Sequence, residues 1–116
     1  VMMCQIPALV GYYRTLEYID RARALRAQVL LVPHHGVFTG SDVDAYFAAA
    51  HFWCEYSAKL VCRMYAQGCS DEEVSAEFKR IFYTGYTKAI QPEPAFDLNA
   101  SYTIPLIVRE VCNAGQ

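Results

Sequence analysis

The sequence predicts a mainly α-helical protein with about four helices and one short strand. Three observations support this fold class. Apolar residues recur every three or four positions in four segments, as they do on the buried side of a helix. Proline, glycine and capping residues lie at the ends of these segments. The run of strand-forming residues "VLLV", at 29 to 32, is short and is followed by Pro33.

The first predicted helix extends from Ala8 to about Leu25. Pro7 precedes it, and proline is favoured at a helix start because its missing N–H would have no partner there. Glu17 and Arg21 are four residues apart with the acid first, the favourable order for an ion pair on a helix surface. The strand that follows lacks polar alternation, so we expect it to be covered on both faces. The segment "HHGVFTG" is expected to be a loop because it contains two glycines.

The second predicted helix is the longest and runs from Ser41 to Gln67. Ser41 and Asp44 have the spacing of a capping box, and Gly68 suits the left-handed residue that follows a helix. Residues that alternate at spacings of four and three predict its buried side. These inward positions are Val43, Phe47, Ala50, Cys54, Ser57, Val61 and Met64, widened by Tyr46, Trp53 and Leu60.

A third helix is predicted after the glycine that ends the second. Ser70 and Glu73 have capping-box spacing, and acidic residues occupy the first turn, where the helix dipole favours them. This helix is expected to end near Gly85. The segment "QPEPAF" is expected to be irregular because its two prolines are two residues apart.

The last helix is predicted to be capped by Asn99 and to end near Cys112. Pro105 lies inside this segment, so the helix must begin at Thr103 or bend. The inventory then contains one strand, whose N–H and C=O groups would be unpaired on both edges. We therefore expect the strand to pair with a second copy of the chain, or with a sheet that this chain does not contain.

Length and composition bound the function classes. The 116 residues predict a single domain, 1–116. The net charge is −2 and the basic residues are scattered, so no nucleic-acid partner and no polybasic membrane contact are expected. No apolar run reaches the roughly 18 residues of a membrane span. Five cysteines without a Cys-x-x-Cys pair predict free, mostly buried thiols in a reducing cytoplasm.

His34 and His35 are the candidate metal ligands. They follow the carboxyl end of the predicted strand, where layered α/β proteins bind ligands, and Gly36 allows a tight backbone path beside an ion. A catalytic zinc ion usually has three protein ligands, and the sequence supplies no convincing partners. His51, four residues before Glu55, is expected to be half-exposed on a helix.

At "YYRTLEYIDRARALRAQVLLVPHHG" the sequence resembles the C-terminal part of metallo-β-lactamase-fold hydrolases. Those proteins carry a Ser/Thr-Leu-x-x-Ile/Leu helix before a short strand, and then a Pro-Gly-His-Gly or Gly-His-Tyr-Gly turn. Thr15 to Ile19 match the helix motif, and Pro33 to Gly36 match the turn. The capped helix within "AQGCSDEEVSAEFKRIFY" is similar to their C-terminal tail.

The resemblance implies that residues 1–116 are the C-terminal portion of an αββα sandwich whose upstream half, with its His-x-His-x-Asp-His motif, is absent from this chain. The turn histidine would be the last ligand of a two-zinc centre that uses a bound hydroxide on a small-molecule ester, thioester or similar substrate. We favour His34 as this ligand over His35, because the helical tail is closer to members with the aromatic turn. Because the chain also begins at Val1, we expect a hydrolase fragment that lacks its N-terminal half, is inactive and does not retain zinc.

Two other interpretations remain open. The first is a stand-alone helical oligomerisation or interaction module without catalysis. The second is a dimer in which turn histidines of two chains share one metal ion. Asp42 and Asp44, the acids nearest the histidines, suit a helix start better than a metal. Four aromatic residues suit a core better than a substrate mouth. They are Phe38, Tyr46, Phe47 and Trp53.

Overall fold

The computed structural model describes residues 10–32 and 36–113, apart from the side chain of Tyr86. Helices hold 76% of these residues, which confirms the mainly α class. A π-helical segment, the π turn, follows the last α-helix. In chain order the elements are α1 (Tyr12–Ala24), β1 (Val29–Val32), β2 (Gly36–Thr39), α2 (Ser41–Ala66), α3 (Asp71–Phe82), α4 (Gly85–Ile90), α5 (Glu93–Ile107) and the π turn (Val108–Cys112).

The helix α1 begins at Tyr12, later than the predicted start at Ala8, and the predicted start lies outside the described residues. Tyr12 is the one residue of α1 that is buried. The predicted surface pair between Glu17 and Arg21 is present at 3.7 Å. After Leu25 the chain turns away through Arg26, which has a φ of 52°. α1 is therefore held by a small buried contact at its N-terminal end.

The strands β1 and β2 form an antiparallel hairpin, which corrects two predictions. Leu31 pairs with Val37, and Val32 pairs with Gly36. The segment from Gly36 to Thr39, predicted as part of a loop, is a strand because its backbone hydrogen-bonds to β1. The predicted strand is thus not alone, although each strand of the hairpin has only one neighbour in the described residues.

The long helix α2 has the predicted extent and the predicted buried side. Of the inward positions only Met64 is half-exposed, and Gly68 after the helix has a φ of 85° as expected. The Ser41–Asp44 capping box was wrong, because Gly40 is the N-cap residue and no side chain caps the helix. The chain passes from β2 into α2 through a backbone conformation that leaves Ser41 inside the first turn.

The capping box of α3 is confirmed. The Ser70 hydroxyl oxygen accepts a 3.1 Å hydrogen bond from the Glu73 N–H, and a Glu73 carboxylate oxygen accepts one of 3.0 Å from the Ser70 N–H. Both donors belong to the first turn, where helix geometry supplies no partner. α3 ends at Phe82, close to the predicted end.

The C-terminal region corrects two further predictions. "QPEPAF" was expected to be irregular, but Pro92 is the N-cap residue of α5 and Pro94 lies in its first turn, where a missing N–H costs little. Asn99 was expected to be a cap and lies inside α5 instead. Pro105 is also inside α5, and the helix continues past it into the π turn.

The core lies between α2, α3, α5 and the π turn. Its fully buried members include the rings of Phe78, Phe82 and Phe96 and the side chain of Ile107. The hairpin lies outside this core and contacts α2 through the ring of Phe38. No helix in the described ranges combines the length and the apolar character that a bilayer crossing requires.

Candidate functional site

The predicted metal ligands His34 and His35 lie outside the described residues, so their prediction is not tested. The structure does describe both residues that flank this segment. Val32 ends β1, Gly36 begins β2, and these two residues are partners in the hairpin. The histidines therefore lie in the connection between two antiparallel strands.

The described residues contain no group of three histidine, cysteine or acidic side chains that could hold a metal ion. Asp42 and Asp44 lie in the first turn of α2, as predicted for helix-start residues. Asp44 accepts a 2.8 Å hydrogen bond from Arg23, which joins the start of α2 to the end of α1.

His51 links α1 and α2 on the protein surface. Its side chain is 34% exposed, which agrees with the half-exposed position predicted for it. Nδ1 lies 3.0 Å from a Glu55 oxygen, and Nε2 lies 4.0 Å from an Asp20 oxygen. The first contact joins residues of one helix and the second spans two helices. The described partners of His51 are thus carboxylates of α1 and α2.

One face of the hairpin carries exposed apolar side chains. Val29, Leu31 and Val37 are exposed by 56%, 72% and 62%, and we call these three residues the hairpin face. Leu31 and Val37 are opposite each other in the register, so their side chains are neighbours. The other face, which includes Leu30 and Phe38, is half-buried against α2. The strand β1 was predicted to be covered on both faces, and among the described residues it is partly covered on one.

A cavity of about 520 Å³ lies between the end of α1 and the start of α2. Charged side chains of both helices line it, and Phe47 and Gly40 form part of its wall. The Arg23–Asp44 pair is in this lining, so its charges are already matched. None of the described residues that line the cavity is a buried nucleophile or base.

Of the four aromatic residues predicted to be core, one is buried and three are half-buried. Phe47 is buried, and its ring is 5.8 Å from that of Tyr46. Tyr46 in turn contacts the ring of Phe38 at 5.0 Å, and Trp53 packs edge-on to the core ring of Phe82 at 6.0 Å. Phe47 is thus buried and Trp53 packs against the core, whereas Phe38 and Tyr46 pack on each other outside it.

The structure also shows a disulfide that the sequence interpretation missed. Cys62 of α2 and Cys112 of the π turn are bonded, with their Cα atoms 5.1 Å apart. The prediction of free thiols holds only for Cys54 and Cys69 among the described cysteines. Cys62 and Cys112 are 50 residues apart in sequence, and no local spacing pattern indicates such a pair.

Cys54 is unsuited to chemistry. It is fully buried, and burial, followed by the nearby Glu55 charge, raises the pKa of its thiol to about 12. Its thiol stays protonated at neutral pH, so it is a poor nucleophile there. Burial likewise raises the pKa of the neighbouring Tyr12 hydroxyl to about 12.

Comparisons of this chain with protein-family models, with curated proteins and with solved structures found no significant match. The resemblance to metallo-β-lactamase-fold hydrolases therefore rests on sequence features only: the helix motif, the "PHHG" turn and the capped helix near the C-terminus.

Proposed function

We propose that this chain is a helical interaction module that associates with a second copy of itself through the hairpin face. The observation that carries the proposal is the exposure of Val29, Leu31 and Val37 side by side on one face. Scattered exposed apolar residues are ordinary, but a contiguous patch on a sheet is typical of an interface.

The hairpin itself supports this choice of partner. A two-stranded hairpin is marginally stable in water, and further strands or packing stabilise it. Two hairpin faces that pack against each other would remove both from water. Each chain would then contribute the same surface, as the symmetry of a twofold dimer requires. Charged residues on exposed strands are a usual means of preventing such association. The strands β1 and β2 contain none.

The size of the hairpin face indicates a weak dimer. A stable interface buries about 800 Å² on each partner, whereas three side chains supply only part of that area. We therefore expect association in about the micromolar to millimolar range.

Sedimentation equilibrium over this concentration range tests the proposal. Leu31→Lys should shift the protein to monomer, because a lysine in the hairpin face would lose hydration on association. Leu98→Lys is the matched control, since Leu98 is also an exposed leucine, at 58%, and lies on α5. A monomer at every concentration, or equal effects of the two substitutions, would contradict the proposal.

A second candidate function is that of a C-terminal hydrolase fragment that contributes one zinc ligand to a two-zinc centre. The "PHHG" segment lies directly after the carboxyl end of β1, and the hairpin face would then pack against the missing half. In this proposal His34 is the favoured ligand and His35 the alternative, and the substrate is a small ester or thioester. The isolated chain would be inactive, since one imidazole does not hold zinc tightly.

Zinc content after dialysis tests the second candidate. We expect far less than one zinc per chain, and weak binding in a competition assay that His34→Ala abolishes. His51→Ala is the control, because His51 contacts carboxylates away from the hairpin. Stoichiometric zinc in the dialysed chain would contradict this candidate.

The compartment also enters as a proposal. A cytoplasmic location was predicted because the cysteines were expected to be free thiols. The Cys62–Cys112 disulfide does not fit that expectation. Disulfides persist in oxidising compartments, whereas in the cytosol they are usually transient and redox-sensing. Alkylation of free thiols at lysis, followed by mass spectrometry, would show which state these two cysteines have in the cell.

A further inference from the structure

We infer that the Cys62–Cys112 disulfide is a redox switch that holds the π turn against α2 and thereby keeps Glu110 on the N-terminus of α1. Reduction would release this contact and let α1 open while the rest of the core stays folded. The inference does not depend on association through the hairpin face.

The first step of the argument is the contact between Glu110 and α1. The Tyr12 N–H donates a 3.0 Å hydrogen bond to a Glu110 carboxylate oxygen. Gly11, the N-cap residue with a φ of 128°, leaves room for that carboxylate, because a Cβ there would lie 3.0 Å from its other oxygen. No side chain of α1 itself caps the helix. Glu110 therefore supplies the acceptor and the negative charge that a helix N-terminus favours.

The second step is that the other attachments of α1 lie mostly at the surface. Leu16 packs partly against the core, and Asp20 lies 4.0 Å from His51 of α2. Tyr12 is the one buried residue of α1, and it lies in the turn that Glu110 contacts. At the other end, Arg23 and Asp44 form an ion pair whose side chains are 43% and 68% exposed. Exposed pairs of this kind contribute little to stability. An element held in this way is expected to open locally before the core unfolds.

The third step is the dependence of Glu110 on the disulfide. Glu110 is two residues from Cys112, within the π turn. None of the five residues of the π turn is fully buried, although Val108 and Val111 pack partly against the core. The covalent bond to Cys62 is therefore a main attachment of this turn to α2. Loss of that bond removes the constraint that positions the Glu110 carboxylate.

The chemistry requires a reductant, which we take to be a dithiol. A thiolate of the dithiol attacks one sulfur of the Cys62–Cys112 bond and forms a mixed disulfide, and its second thiol then displaces the protein sulfur. The dithiol becomes a disulfide, and the two protein sulfurs receive two electrons and two protons. Both cysteines are half-buried, so a small dithiol can reach them.

Amide hydrogen exchange, resolved to single residues by NMR, tests the switch with dithiothreitol as the reductant. We expect exchange of the Tyr12 amide to accelerate at least about fivefold on reduction, the change that follows from losing a helix cap. The α3 amides, such as that of Phe78, should keep the chemical shifts of the folded core on reduction and should still exchange far more slowly than that of Tyr12. No acceleration at Tyr12, or loss of the folded α3 shifts, would overturn the inference.

Three variants make the test specific. Glu110→Ala should give the oxidised protein the fast Tyr12 exchange that reduction gives the unchanged protein, and reduction should then add little. Cys69→Ser should respond to dithiothreitol as the unchanged protein does, because Cys69 is free. The double variant Cys62→Ser, Cys112→Ser should be folded by far-UV circular dichroism and should exchange like the reduced protein. An unfolded double variant would overturn the inference, since the switch requires a folded reduced state.

Discussion

At the scale of single residues, Phe78 joins the helices of the core. Its ring lies 4.6 Å from that of Phe82 in α3 and 6.3 Å from that of Phe96 in α5. Phe82 in turn packs against Trp53 of α2. Because Phe78, Phe82 and Phe96 are fully buried, a void at Phe78 would be lined by rigid rings that cannot easily move into it.

Phe78→Ala is therefore expected to lower the free energy of unfolding by about 3–5 kcal/mol, from lost transfer energy and a residual cavity. Phe52→Ala is the matched control. Phe52 is 56% exposed and keeps only stacking contacts on α2, so we expect a loss of about 1 kcal/mol or less. Urea unfolding measures both, and similar losses would contradict the assigned core.

The Ser70 cap makes a second prediction at the residue scale. Ser70→Ala should lower stability by about 1 kcal/mol, because the Glu73 N–H would lose its acceptor. Ser41→Ala, which removes the serine of the wrongly predicted capping box, should change stability by less than about 0.5 kcal/mol. Denaturant unfolding of the two variants distinguishes a real cap from a sequence pattern, and equal losses would contradict the structure.

The same cap predicts a pH dependence. Hydrogen bonds from the backbone and the side chain of Ser70 lower the pKa of Glu73 below its ordinary 4.5 in the folded protein. A lowered folded-state pKa means that the contribution is present above pH 4.5 and is lost as the pH falls through the folded value. Stability measured below pH 4.5 should therefore fall less steeply in Ser70→Ala than in the unchanged protein. The backbone N–H of residue 70 remains in this variant, so parallel pH profiles would show that the Ser70 side chain does not lower the pKa of Glu73.

At the scale of secondary-structure elements, Gly40 determines how the hairpin joins α2. Its φ of 57° and ψ of −133° belong to a region that is unfavourable for residues with a Cβ. A Cβ at Gly40 would meet no atom within 4 Å, so any cost of a side chain there is backbone strain alone. This conformation turns the chain from β2 into α2 and leaves the hairpin face open to solvent.

Gly40→Ala is expected to lower the free energy of unfolding by about 1–3 kcal/mol through this strain. Gly68→Ala is the comparison, because Gly68 has a φ of 85° as the residue after α2 and also has open space around it. Its cost should be about 1 kcal/mol, close to the ordinary penalty for a left-handed residue with a Cβ. Thermal unfolding of both variants measures the difference, and a smaller effect at Gly40 would be inconsistent with its backbone conformation.

At the scale of the whole molecule, one covalent bond connects distant parts of the helical core. The disulfide links the C-terminal part of α2 to the π turn across 50 residues of sequence. The closed loop contains α3, α4 and α5. In the chain-entropy model, a cross-link that closes a loop of this length lowers the entropy of the unfolded chain. This raises the free energy of the unfolded state by about 4 kcal/mol. A domain of this size has about 6–17 kcal/mol of stability in total, so the reduced protein can remain folded.

Replacement of both Cys62 and Cys112 by serine should therefore lower the free energy of unfolding by about 2–4 kcal/mol. Cys69→Ser, which removes a free half-buried thiol, should have an effect of less than about 1 kcal/mol. Urea unfolding with and without a reductant provides the measurement. The unchanged protein in reductant should match the double variant, and a double variant as stable as the oxidised protein would contradict a structural role for the bond.

The sequence by itself determined the features that arise from residues close together in the chain. The extent of α2 follows from its apolar spacing and from Gly68, and the start of α3 follows from Ser70 and Glu73, because helix hydrogen bonds and caps join residues only a few positions apart. The same local reasoning failed at Ser41 and Asn99. There the surrounding chain, rather than the capping residue, decides where the helix begins.

The tertiary structure alone decided the contacts between residues far apart in sequence. Cys112 bonds to Cys62, and Glu110 accepts from the N–H of Tyr12, 98 residues away. No spacing pattern encodes such pairs, because they exist only after the helices pack and bring their ends together. The hairpin face has the same origin: the run "VLLV" predicts a strand, but only packing against α2 decides which of its faces is left exposed.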